Sequence, residues 1–138
     1  MKDKIWPFIR SNYVLTICTQ SADSLWAASL FYVADKERLY VMSDLTTRHG
    51  SMMLANNKVS GTIAVPVEDI SQIRGLQFTG EIKLLEGEEE EKERVLRFYE
   101  KRFPVAKAFS APLWQINFTE LKLTDNSAGF GTKYYWQI

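Results

Sequence analysis

Between Ile73 and Leu85 the chain alternates with a period of two. Leu76, Phe78, Gly80, Ile82 and Leu84 fall at one parity, and Gln77, Thr79, Glu81 and Lys83 at the other. Helices repeat every 3.6 residues, so this run is a strand with one buried face and one partly wet face. Gly75 and Gly80 within it mark a bend, a bulge or a close backbone approach. A strand of this kind needs pairing partners, and the rest of the chain has to supply them.

Five further segments read as strands: Val14 to Thr19, Leu25 to Val33, Leu39 to Ser43, Lys58 to Val65 and Trp114 to Asp125. Leu25 to Val33 is apolar at both parities, as in a barrel wall. In the last segment Trp114, Ile116 and Phe118 share a face, and the phase has changed by Leu121 and Leu123. That predicts a bulge near Thr119-Glu120. Ser21 to Ser24 and Asp35 to Arg38 are short polar turns, and short turns join antiparallel neighbours. Residues Lys2 to Asn12 predict a first helix, with Pro7 tolerated near its start. Ser51 to Asn57 predicts a short helix capped by Asp44 or Thr46. Glu86 to Phe103 predicts a long one, stopped by Pro104. Its glutamates suit the positive end of the helix dipole, its i,i+4 pairs are Glu88–Lys92, Glu90–Arg94 and Glu93–Arg97, and the Glu88 to Glu93 run reads as a solvated face. The tail from Gly129 to Ile138 has no assigned element. The expected fold is α+β, mainly β. It is a six-stranded antiparallel barrel with a short helix after strand three and a longer helix before the last strand, in one domain over residues 1–138.

Composition excludes several functions. Net charge is zero and no Lys/Arg-rich segment exists, so the electrostatic footprint of a nucleic-acid binder is missing. No apolar run is long enough to span a bilayer, and the first residues lack the apolar core of a secretory signal. Cys18 is the single cysteine, so no internal disulfide forms, and a cytoplasmic location is expected. One His and one Cys cannot build a structural zinc site. There is no Gly-x-Ser-x-Gly elbow and no phosphate-binding Walker sequence, and Gly129-Phe-Gly131 lacks the third glycine of a dinucleotide fingerprint. No catalytic side chains stand out, so any redox chemistry needs a cofactor. Aromatic residues make up 13% of the chain, a surplus that fits a ring-binding pocket or a subunit interface.

Three segments and one tail lysine remain as candidates. Ser43, Thr46, Thr47, Arg48 and His49 gather at a strand-to-helix junction, where free N–H groups, hydroxyls and a guanidinium fork suit an anion. The same segment also reads as an ordinary capped helix with a solvated Arg48, and the local pattern by itself favours that. Ala27-Ala28-Ser29 leaves room for a flat ring or for tight packing, and packing is the simpler reading. Gln77, on the wetter strand face, either meets a heterocycle edge or faces solvent. Lys133, among tail aromatics, is a surface residue or approaches a neighbour's ligand.

Taken together, these segments resemble the pyridoxamine 5′-phosphate oxidase-like, FMN-binding split barrels, and in particular their small bacterial YhbP-like branch. The resemblance is carried by Thr47-Arg48-His49, Ile73 to Glu81, Leu85 to Glu88, Arg102 to Ala106, Ser110 to Trp114, Leu121 to Asn126 and Gly129 to Gly131. It implies a homodimer with two FMN sites at the interface. Thr47-Arg48-His49 would hold the phosphate, with His49 where the family carries Lys. Ala28, Ser29 and Leu30 would line the ring, Gly75 or Gln77 would contact it, and the partner's Asn126 and Lys133 would close the site. The implied function is an FMN-dependent oxidoreductase acting on a small molecule. The alternative is a non-catalytic flavin- or haem-binding carrier or sensor, with His49 as the lone axial ligand; a deazaflavin is a further possible ligand. Members that oxidise pyridoxamine phosphate end in an Arg-x-His-type motif. The residues after Asp125 here contain neither Arg nor His, so that substrate is not expected.

Overall fold

A computed structural model describes residues 2–138; the expected domain's first residue, Met1, lies outside them. The elements follow in the order α1 (Lys2–Arg10), β1 (Val14–Ser21), β2 (Ser24–Asp35), β3 (Arg38–Met42), α2 (Arg48–Ala55), β4 (Lys58–Ala64), β5 (Arg74–Leu84), α3 (Glu89–Arg102), β6 (Leu113–Asp125) and β7 (Lys133–Gln137). The strands form one seven-stranded sheet in the order β3-β2-β1-β4-β5-β6-β7, antiparallel throughout, and an additional β3–β6 pairing joins the sheet back on itself.

The alternation in β5 is realised: Leu76, Phe78, Gly80 and Ile82 are buried, and Gln77, Thr79 and Glu81 are exposed. The expected bulge is also present. Thr79 pairs with Glu120 and Gly80 with Phe118, so Thr119 is the extra residue. Gly80 is needed there, because a Cβ built on it would lie 2.6 Å from the Asn117 carbonyl oxygen. Ile17, Leu39, Val41, Ile63, Leu76, Ile116 and Leu121 fill the interior, and α1 closes one side with Ile5, Trp6, Phe8 and Ile9.

Several expectations need correcting. There are seven strands, because the tail forms β7 along the second half of β6. The long helix therefore precedes the penultimate strand. Pro7 lies in the middle of α1, where burial of the four neighbouring apolar side chains holds the turn despite the missing N–H. The cap of α2 is Thr47, whose hydroxyl accepts from Gly50 N, while Asp44 closes a turn onto Thr46. β2 is not a doubly covered wall: it pairs with β3 only from Tyr32 to Asp35. Its first eight residues have β1 on one edge, no strand on the other, and mostly exposed side chains.

The acidic start of α3 is more than a solvated face. Glu91 accepts from the Tyr40 hydroxyl at 2.7 Å and from Gln115 Nε2 at 2.9 Å, and Gln115 is itself buried. Arg94 pairs with Asp35, and Lys92 pairs with Glu89, in place of the i,i+4 partners. α3 is thereby fastened across β3 and β6, with Val95 and Tyr99 buried beneath it. The next turn completes an apolar cavity of about 580 Å³ between α3 and the open end of β2, walled by Phe31, Met42, Tyr99, Phe103 and Phe109.

Candidate functional site

The β3–α2 junction brings Ser43, Thr46, Thr47, Arg48 and His49 together, and most of their polar atoms are already engaged. The Thr46 N–H and hydroxyl both donate to Asp44 Oδ1, at 3.1 Å each. The Thr47 hydroxyl donates to Asp44 O at 2.8 Å and accepts from Gly50 N at 3.0 Å. Buried Ser43 Oγ is 2.6 Å from His49 Nε2, and its carbonyl accepts from the Trp114 indole N–H at 2.9 Å. Burial lowers the His49 pKa, so the ring is neutral at pH 7.

Arg48 is the exception. Among the described residues its guanidinium makes no hydrogen bond or ion pair with the protein; it lies over the indole of Trp26, 4.0 Å from the ring centroid. The nearest carboxylate along the chain, Asp44, accepts from Thr46 through Oδ1 and makes no ion pair with Arg48. An exposed guanidinium with all its in-plane N–H groups free, at the first residue of a helix, is an arrangement that receives an anion. Arg48 and the first turn of α2 are thus the groups of this junction open to an anion such as a phosphate, while the Thr47 hydroxyl is spent as a cap. Trp26 was not among the sequence candidates. Its only signal there is a large aromatic opening a strand that is apolar at both parities.

The other candidates divide between two faces. Ala28 and Leu30 share the parity of Trp26 and pack against the core, so they continue the line that starts at Arg48. Ser29 faces outward, paired with Thr16; the row continues through Thr62 to Gln77. Three strand spacings, roughly 14 Å, separate Ser29 from Gln77. Gly75, Asn126 and Lys133 form another group, where β5 begins and β6 turns into β7. Asn126 is bonded there to Ile70 O and Gly131 N, and Lys133 to Gly131 O. One chain therefore does not bring all the candidates to a single ligand.

The outer face joining these groups is chemically distinct. Ala27, Ser29 and Phe31 on β2, Val14, Thr16 and Cys18 on β1, Ser60, Thr62 and Ala64 on β4, and Gly75, Gln77 and Thr79 on β5 lie in register. No Asp, Glu, Lys or Arg stands among these positions, and charges border them: Lys58 and Glu81 continue the same parity of β4 and β5, and Lys122 and Glu120 of β6 pair with Gln77 and Thr79. Among the described residues, no group of His, Cys, Asp or Glu could hold a metal ion, and no helix is long and apolar enough to cross a membrane.

The fold is a mainly β, antiparallel sheet closed on itself with α2 at the β3–β4 connection, and comparison with known proteins places it in a family. Residues 1–125 match the family model described as pyridoxamine 5′-phosphate oxidase, and the chain belongs to that family. A UPF0306 protein of Photorhabdus laumondii is 47% identical over 133 residues, covering 94% of this chain and 91% of the relative. Among solved structures, the haem storage protein HutZ of Vibrio cholerae has a TM-score of 0.74 at 17% identity, covering 85% of this chain and 89% of that one. An FAD-binding protein of Mesorhizobium loti has a TM-score of 0.73 at 13% identity, covering 88% and 91%. The same fold thus occurs in proteins described as binding haem and as binding a flavin.

Proposed function

We propose that this protein is a flavin mononucleotide-binding homodimer whose cofactor lies between two copies, with a small-molecule redox substrate. The carrying observation is the Arg48 guanidinium, free of protein hydrogen bonds at the start of α2 and beside the open edge of β2. In this reading Arg48 and the first turn of α2 hold the phosphate, and the ring extends past Ala28 and Leu30. The partner supplies Gly75 or Gln77, with Asn126 and Lys133, across the outer face of the sheet. That division accounts for the distance between the candidate groups within one chain. FMN supplies hydride-transfer chemistry when bound; the chain binds, orients and screens it from water.

A non-catalytic carrier or sensor is the competing reading, with haem as its other ligand. His49 is the single histidine, and Nε2 is held by Ser43. The absorption spectrum of the purified protein, followed by titration with FMN and with haemin, separates the readings. Flavin bands, or saturable FMN binding, support the proposal. A Soret band with no response to FMN overturns it, as does a colourless protein that binds neither.

A further inference from the structure

We infer that Trp26 is a positioning residue of the anion site, acting through Arg48; this rests on the reading of Arg48 as the phosphate anchor. The guanidinium carbon lies over the indole, 4.0 Å from the ring centroid. Among the described residues none of its N–H groups is bonded within the protein, so contact with the indole leaves the donors an anion needs available. The stack instead removes rotamer freedom from a long side chain before the ligand arrives, a cost that binding would otherwise carry.

The surroundings hold the two groups in this relation. Trp26 pairs with Thr19 across β1–β2, and the Thr19 hydroxyl donates to the Trp26 carbonyl at 3.1 Å. Buried Thr19 also lies 3.7 Å from Met52 Sδ, on the helix that Arg48 opens. The strand carrying the indole and the helix carrying the guanidinium are therefore linked through Thr19. The edge of β2 at Trp26 has no strand beside it among the described residues, and Trp26 is 44% exposed, so no neighbouring strand separates the pair from an incoming anion. Among the described residues no carboxylate pairs with Arg48, and Asp44 turns Oδ1 to Thr46.

The test is a double-mutant cycle on FMN affinity, with riboflavin as the ligand lacking a phosphate. A cation–π contact at a half-exposed site corresponds to about a two- to fivefold change in affinity. Trp26→Leu should weaken FMN by that factor and leave riboflavin unchanged. Trp26→Phe keeps a π face and should recover most of the loss. In an Arg48→Ala background, Trp26→Leu should cost nothing further, because the group it positions is gone. Thermal melts of the variants confirm that each is folded. Equal weakening of FMN and riboflavin by Trp26→Leu would show that the indole touches the ring, and would overturn the inference. So would an undiminished Trp26→Leu effect without Arg48, or no Trp26→Leu effect where Arg48→Ala still weakens FMN. If Arg48→Ala itself leaves FMN binding intact, the anchor reading fails and this inference fails with it.

Discussion

The side chain of Ser43 is bonded to that of His49 over 2.6 Å, with Thr47 Oγ1 a further 3.4 Å contact of the same ring nitrogen. This bond ties Ser43, the first residue after β3, to the first turn of α2 through one imidazole. Burial lowers the His49 pKa below its ordinary value of 6.5. In the unfolded chain the ring takes up a proton near 6.5, while in the folded chain it resists until lower pH. The unfolded state therefore binds more protons in that window, and this contribution to stability, complete above 6.5, is lost as pH falls toward the depressed value. Denaturant midpoints measured from pH 8 to 5 should fall more steeply for the wild type than for His49→Gln. Parallel curves would show that His49 is not coupled to folding.

Gly50 is fixed by a close approach. A Cβ built on it would lie 2.2 Å from Asp44 O and 2.7 Å from Thr47 Oγ1, the two atoms that form the turn and the cap. Gly50→Ala should destabilise the fold by about 1–3 kcal/mol, the range for overpacking a tight site, despite alanine's better helix propensity. It should also weaken anion binding by displacing the first turn. Chemical denaturation measures the first effect; an unchanged midpoint would mean that the junction yields easily.

The outer face, uncharged across β2, β1 and the middle of β4 and bordered by Lys58, Glu81 and Lys122, predicts a dimer. Light scattering should give twice the chain mass at micromolar concentration. Thr62→Arg, which puts a charge in the middle of that face, should shift the population toward monomer and lower FMN affinity. A monomeric wild type would remove the basis for a site shared between copies.

Pyridoxamine phosphate should not be turned over. After Asp125 the only cationic side chain is Lys133, whose ammonium donates to Gly131 O at the start of β7. No guanidinium or imidazole is available from this segment to bind a phosphorylated substrate. Oxygen uptake by FMN-loaded protein should stay at background when that substrate is added, and a rate above background refutes the prediction.

Much of the fold was legible because β-structure leaves a period-two record wherever one face is buried. β5 and the bulge in β6 are cases of this. β7 was missed because Lys133 to Gln137 is short and follows a turn with Gly129 and Gly131 at positive φ, which broke the pattern just before it. The exposure of β2 was hidden for a different reason. Apolar residues at both parities look the same whether helices cover them or a second chain does. The junction was legible as a cluster of polar residue types, but its internal bonding was not. Which hydroxyl caps α2 depends on whether Asp44 closes a turn first. Partners far apart in sequence, such as Trp26 with Arg48 or Glu91 with Tyr40 and Gln115, exist only once the strands are placed.

The central claim is that Arg48 holds the cofactor by its phosphate, and titration of the apo-protein with FMN and with riboflavin tests it most directly. A charge-assisted hydrogen bond of this kind contributes about 1.5–3 kcal/mol, so Arg48→Ala should weaken FMN at least about tenfold. Riboflavin should lose far less, and Arg48→Lys should restore only part of the FMN affinity, because Lys keeps the charge without the fork. Equal losses for FMN and riboflavin, or no loss for either, would contradict the account and place the phosphate elsewhere.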